Sequence, residues 1–310
     1  MKSCENTFIL RLKQENIKKE ELISLLKTLE YQKNVQILDL SGSELHEIGK
    51  ILNDCILRLS NLQELCLQGC DIDSKCLSKL EKLPFKLKFL DLSYNPLGPC
   101  NQEILCKLFT PLTQLRTLNL RYCQLNNFQF LSNNFSLANL DISWNSINKD
   151  KFYTTLQRQL LNLNLSNTIS NEFNVVKNIF NETNNSFINL ESLELTFCEL
   201  LDIDIKNILS RVSNLSKLVL RGNKKIGVQS LNLLLKHTPT LRHIDISGCE
   251  NIVNFPNSEI FIEKPEICTL IASMDSNVCD CWLQLWRGKG VMKKLPHNLI
   301  IFKPIVEIEN

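Results

Sequence analysis

A single pattern, Leu-x-x-Leu-x-Leu-x-x-Asn/Cys-x-Leu, recurs along almost the whole chain and restricts its fold more than any other feature. Its clearest copies are Leu87-x-x-Leu90-x-Leu92-x-x-Asn95-x-Leu97, Leu115-x-x-Leu118-x-Leu120-x-x-Cys123-x-Leu125 and Leu137-x-x-Leu140-x-Ile142-x-x-Asn145-x-Ile147. Further copies begin at Val35, Leu62, Leu190, Leu215 and Leu241, with a degenerate one near Leu160 and a last one near Ile267. The starts are spaced by about 26 residues, and one such segment cannot bury its own apolar face, so neighbours must stack to make a continuous core.

The x-Leu-x-Leu portion reads as a short strand with alternate residues pointing inward. The ninth position turns the chain, and its side chain must satisfy buried backbone groups, which an amide does well and a thiol or hydroxyl less fully. It is occupied in turn by Ser43, Cys70, Asn95, Cys123, Asn145, Thr168, Cys198, Asn223 and Cys249. Amphipathic stretches follow the turns at 47–57, 100–108, 171–180, 203–212 and 228–236, with apolar residues at helical spacing. Together these predict an α/β leucine-rich-repeat horseshoe of the ribonuclease-inhibitor type, with a parallel concave sheet and a helical convex side. It reads as one domain without a linker. Residues 1–34 supply an N-terminal cap helix, predicted over 18–31. Residues 35–267 hold about nine repeats, and 268–310 form a C-terminal cap.

Only 9 Gly and 9 Pro among 310 residues leave Asn to make most turns. Lys and Arg number 35 against 33 Asp and Glu, so the net charge of +2 offers no bulk field for nucleic acid or membrane. An odd 13 cysteines, scattered along the chain, suit reduced thiols of an intracellular compartment, and four of them are ninth-position turn residues. No apolar stretch is long enough for a signal peptide or a membrane span.

Catalytic chemistry finds no footing. His46, His237, His243 and His297 are far apart, and no Gly-x-Ser-x-Gly, phosphate-loop or dinucleotide motif occurs. Cys268, Cys279 and Cys281 lack the paired spacing of a zinc site, and Gly288-Lys289-Gly290 lacks the setting of a phosphate loop. The expectation is a non-enzymatic protein without cofactor or metal. The basic stretch Trp286 to Lys294 gives direct nucleic-acid binding only weak support, against a solvated cap face.

Binding is expected on the outward strand positions, which align across repeats into columns. The fifth position of the repeat gives Asp39, Cys66, Asp91, Asn119, Asp141, Asn164, Glu194, Val219 and Asp245, either an acidic recognition strip or a recurrent part of the repeat. The eighth gives Gly42, Gly69, Tyr94, Tyr122, Trp144, Asn167, Phe197, Gly222 and Gly248. Exposed aromatics flanked by carboxylates suit a protein partner, so Tyr94, Tyr122, Trp144, Phe197, Asp91, Asp141 and Glu194 are the candidate contact residues. Arg116, Arg121, Lys217, Arg221 and Arg242 share the face and make it mixed in sign.

Three segments narrow the resemblance: Leu90-Asp91-Leu92-Ser93-Tyr94-Asn95-Pro96-Leu97-Gly98, the turn Leu220 to Ile226 with its following Leu-rich helix, and Ile244-Asp245-Ile246-Ser247-Gly248-Cys249. With the segment bearing Trp282 and Trp286 that follows, they resemble the C-terminal leucine-rich portion of Tonsoku-like proteins over roughly residues 30–303. That resemblance implies a nuclear scaffold acting with a partner scaffold in homologous-recombination repair of stalled or broken replication forks. The histone-reading repeats of that family have no counterpart before residue 35, so histone binding is not implied. Two rival readings remain: a substrate receptor of a ubiquitin ligase, for which residues 1–34 are too short to hold an F-box, and a ribonuclease-inhibitor-like regulator, whose repeats are more regular than these.

Overall fold

The computed structural model describes residues 8–12, 17–29, 31–98, 102–133, 136–147, 159–168, 174–181, 187–252, 269–273, 290–295 and 299–304. The chain divides into two compact units, Met1–Gln157 and Arg158–Asn310. Cys268, Cys279, Cys281, Trp282, Trp286 and His297 lie outside the described residues.

In the first unit six parallel strands run in chain order: β1 (Phe8–Arg11), β2 (Val35–Asp39), β3 (Glu64–Cys66), β4 (Phe89–Asp91), β5 (Thr117–Asn119) and β6 (Asn139–Asp141). Their register keeps each repeat position beside its equivalent: Leu38, Leu65, Leu90, Leu118 and Leu140 are successive partners, and all are buried. Burying a leucine side chain contributes about 1.5–3 kcal/mol, so this repeated inward column supplies much of the drive to stack. Strand β1 is one the repeat pattern does not announce, because Phe8, Ile9 and Arg11 around it are exposed and leave no inward alternation to read.

Helices return the chain on the other side: α1 (Lys19–Leu29), α2 (Gly49–Arg58), α3 (Ser74–Ser78) and α4 (Gln102–Phe109). Helix α1 sits within its predicted span and buries Leu22, Leu26 and Leu29, one face at helical spacing. Helix α3 is too short for a periodic signal; Asp73 starts it by accepting the Cys76 N–H at 2.7 Å. Between β5 and β6 the described return is a 3-10 turn, Gln129–Asn133, where buried Phe130 packs against both Phe109 and Phe128.

In the second unit β7 (Asn162–Asn164), β8 (Ser192–Glu194), β9 (Lys217–Val219), β10 (His243–Asp245) and β11 (Thr269–Ser273) are parallel in the same register. Helices α5 (Val175–Asn181), α6 (Asp202–Leu209) and α7 (Val228–His237) alternate with the first four of these strands, at the places the amphipathic stretches predict. The direction then reverses: β13 (Leu299–Pro304) pairs antiparallel with β11, and β12 (Gly290–Leu295) pairs antiparallel with β13. The fold class is therefore the α/β leucine-rich-repeat class expected from the sequence.

The turns explain the alternation of Cys and Asn at the ninth position. Each of these side chains reaches back to one acceptor, the carbonyl of the sixth residue in the preceding repeat: Cys70 to Leu40, Asn95 to Leu67, Cys123 to Leu92, Asn145 to Leu120, Cys198 to Leu165, Asn223 to Leu195 and Cys249 to Leu220. The asparagines do more. Asn95 Oδ1 accepts both the Cys70 and Ile72 N–H at 2.9 Å, and Asn145 and Asn223 serve Cys123 with Leu125 and Cys198 with Leu200 in the same way. A thiol is a poor acceptor, so the repeats turned by Cys70, Cys123 and Cys198 rely on the asparagine that follows, while the Cys249 N–H bonds the Ile246 carbonyl of its own repeat. In the repeats of Cys70, Cys123 and Cys198 the tenth residue, Asp71, Gln124 or Glu199, is left-handed with φ of 52–56°, whereas in the Asn95 repeat, which Cys123 follows, the Leu97 N–H closes onto the Asn95 carbonyl. Burial pushes the thiols of Cys70, Cys123, Cys198 and Cys249 up to about 12, as structural hydrogen-bonding groups require.

Candidate binding surface

The eighth residue of the repeat lies one step before these turns, and its backbone is left-handed throughout. The φ angles are 82° at Gly42, 61° at Gly69, 58° at Tyr94, 54° at Tyr122 and 60° at Trp144 in the first unit, and 48° at Asn167, 54° at Phe197, 72° at Gly222 and 73° at Gly248 in the second. The conformation extends the sheet ladder past the strand, since the Tyr94 N–H donates to the Arg121 carbonyl and the Tyr122 N–H to the Ser143 carbonyl. Glycine adopts it freely, whereas an L side chain there costs about 1–2 kcal/mol, and bulky residues are rare in it. The aromatic residues are thus held where folding alone favours glycine.

The rings of the first unit form one cluster. Tyr94 and Tyr122 are 45% and 51% exposed and stack with centroids 5.7 Å apart and planes 26° apart. Arg121 joins them to Trp144: its guanidinium carbon lies 5.8 Å from the Tyr94 ring centre and 5.5 Å from that of Trp144, within cation–π range of both. Its Nε donates to Tyr94 Oη at 2.8 Å and its Nη1 to Ser143 Oγ at 3.1 Å, so the planar group is fixed in orientation. The structure thus brings Tyr94, Tyr122 and Trp144 together. The centre of their cluster is Arg121, a residue the sequence placed on the face but did not single out.

The acidic column has a structural task. Oδ1 of Asp39, Asp91, Asp141 and Asp245 accepts the backbone N–H of Ser41, Ser93, Ser143 and Ser247 at 2.8–3.0 Å and the same serine's hydroxyl at 2.6 Å. These are local side-chain caps of the turn. Asp91 Oδ2 also accepts Asn119 Nδ2 at 3.1 Å. Asp91 and Asp141 remain half-buried on the face beside the rings. A serine stands at the seventh position wherever the fifth is aspartate, and also after Asn164, whereas four of the five repeats without that aspartate carry a larger residue there: Gln68, Arg121, Thr196 and Arg221. That covariation is the signal in the sequence that points to Arg121.

In the second unit Phe197 is 47% exposed, with its ring over the bare Cα of Gly222: a Cβ there would come within 2.2 Å of the ring. Glu194 is engaged on both oxygens, by Lys217 Nζ at 2.5 Å and Asn164 Nδ2 at 3.3 Å. Among the described residues no group of three or more His, Cys, Asp or Glu is placed to hold a metal ion, and no helix is long and apolar enough to cross a membrane.

No protein-family model and no curated protein matches the chain. Among solved structures it is similar to the leucine-rich repeat-containing protein LegL7 from Legionella pneumophila, with a TM-score of 0.52 and 16% identity over 93% of this chain and 99% of that one. It is also similar to two internalins of Listeria monocytogenes: inlF at TM-score 0.43 and 18% identity over 70% and 76% of the two chains, and C2 at 0.35 and 21% over 63% and 66%. The chain thus spans about two thirds of internalin C2. The LegL7 likeness covers nearly all of both chains, and at its low identity it carries the fold alone. This chain has the leucine-rich-repeat fold.

Proposed function

We propose that the chain is a non-enzymatic protein-binding scaffold that docks its partner on the Tyr94, Tyr122 and Trp144 face of the first unit, with Asp91 and Asp141 at its flanks. The observation that carries this is the placement of three aromatic rings at left-handed positions which Gly42 and Gly69 fill elsewhere in the same unit. Rigid rings grouped about one arginine, exposed at Tyr94 and Tyr122 and half-buried at Trp144, are the residue types that dominate protein interfaces. Phe197 and Glu194 are proposed as contact residues of the second unit on the same positional ground.

The narrower assignment, a nuclear scaffold of recombination repair, is supported by the Tonsoku-like resemblance of Leu90 to Gly98, Leu220 to Ile226 and Ile244 to Cys249. Affinity purification of the tagged chain from cells with stalled replication forks tests it. Recombination factors in the eluate, lost with the ring variants below, support the assignment. A cullin adaptor or a ribonuclease in their place overturns it.

The test of the face itself is the triple variant Tyr94→Gly, Tyr122→Gly, Trp144→Gly. Glycine suits the backbone at all three sites, so the relief of about 1–2 kcal/mol of strain per residue offsets the lost ring packing, and thermal stability stays near that of the parent. Partner capture should disappear. Unchanged capture by the folded variant removes the face from consideration.

A further inference from the structure

Resting on that reading, we propose that Arg121 is the specificity residue of the face and receives the carboxylate of an aspartate or glutamate side chain from an extended segment of a partner protein. Three observations lead there. The guanidinium lies within cation–π range of the rings of Tyr94 and Trp144 and is bonded through Nε and Nη1, which leaves both N–H groups of Nη2 and the second N–H of Nη1 without an acceptor among the described residues. No carboxylate of a described residue pairs with it. The aspartates of the neighbouring strands, Asp91 and Asp141, instead direct Oδ1 to Ser93 and Ser143, and Asp91 Oδ2 meets Asn119.

The result is a cation with no counter-ion among the described residues, held as a planar fork beside two rings. Such a fork matches a carboxylate in geometry, and its hydrogen bonds are charge-assisted. The partner residue next to the carboxylate would lie on the stacked Tyr94 and Tyr122 rings, which favours a flat aromatic or proline side chain. Asp91 and Asp141 argue against a nucleic-acid strand, since its successive phosphates would meet carboxylates on either side of Arg121 while a single carboxylate needs only the fork.

The test selects peptides from a random display library on the folded full-length chain, resynthesises the binders and measures their affinity by calorimetry. The expected binders carry Asp or Glu beside an aromatic residue or proline. Changing that carboxylate to its amide should weaken binding to the parent chain about tenfold or more and leave binding to Arg121→Gln unchanged, because the coupled partner is already gone. Arg121→Lys keeps the charge without the fork and should recover only part of the affinity. Circular dichroism melting shows that both variants remain folded. Binders that lose affinity with the triple glycine variant yet are indifferent to their own carboxylate and to Arg121→Gln overturn the carboxylate assignment and leave the docking face standing. Binders indifferent to rings and arginine alike overturn both. An oligothymidylate that binds more tightly than any peptide, and is lost with Arg121→Gln, assigns the fork to phosphate and overturns the proposal.

Discussion

The eighth and ninth residues of each repeat are neighbours in the chain and opposites in what governs them. The ninth column is buried and makes the hydrogen bonds of the turn, so its members, Cys70, Asn95, Cys123, Asn145, Cys198, Asn223 and Cys249, are dictated by unpaired backbone groups. The eighth column demands only a left-handed backbone, which glycine meets at Gly42, Gly69, Gly222 and Gly248 and which Tyr94, Tyr122, Trp144 and Phe197 meet at a cost. One step along the chain separates a position that folding specifies from one where folding tolerates a choice it would not make. The difference locates function more sharply than exposure does, because exposed side chains are ordinary and strained ones are not.

The comparison breaks most visibly at the ninth column. Asn95→Ala strands the Cys70 and Ile72 N–H groups and the Leu67 carbonyl in the core, while the Leu92 carbonyl keeps the Cys123 thiol, and at 1–3 kcal/mol for each group left unsatisfied, a loss of about 3 kcal/mol or more is expected. Urea denaturation measures it; a loss below about 1 kcal/mol would mean that water or backbone adjustment replaces the amide. The eighth column should respond less and unevenly. At Gly69 an added Cβ meets nothing within 4 Å, so Gly69→Ala reports the left-handed backbone alone, about 1–2 kcal/mol. Gly222→Ala adds the collision with the Phe197 ring and should cost more, with Phe197→Ala restoring the difference in a double-mutant cycle. Equal costs at the two glycines would show that the ring moves aside freely.

The smallest effect at neutral pH belongs to the thiols. Cys123→Ala removes one bond to the Leu92 carbonyl and a little volume, about 1 kcal/mol. Its larger signature lies at alkaline pH. Burial raises the folded thiol from 9.0 to about 12, so the folded state holds a proton that the unfolded chain releases. The stability this thiol contributes is whole below about pH 9 and is lost progressively as pH rises toward 12. Cys123→Ala should therefore show a shallower fall in unfolding free energy over that interval than the parent. Identical slopes would mean that the thiol ionises equally in both states.

Much of this architecture is legible in the residue pattern. The strands follow from the repeat register, and α2, α4, α5, α6 and α7 fall on the amphipathic stretches, because both signals are local and periodic. Exposed β1, short α3 and the antiparallel pairing of β12 and β13 carry no such periodicity and leave no mark in the pattern. At the site, the aromatic column is visible as a row of residues, but its meaning is not. Tyr94, Arg121 and Trp144 come from three repeats and meet only through stacking, and the acidic column is paired with serines two residues along.

The sequence by itself determined the repeat, its inward leucines, the parallel register and the identity of the turn residues, since each follows from burying an apolar face and satisfying backbone groups within a short stretch of chain. Only the tertiary structure decided that Cys70, Cys123 and Cys198 depend on the asparagines that follow, that the eighth residues are strained, and that Arg121 lies beside two rings with donors to spare among the described residues. The turn bonds and the Arg121 contacts link residues more than twenty positions apart, and the strain lies in the backbone angles, neither of which a one-dimensional pattern contains.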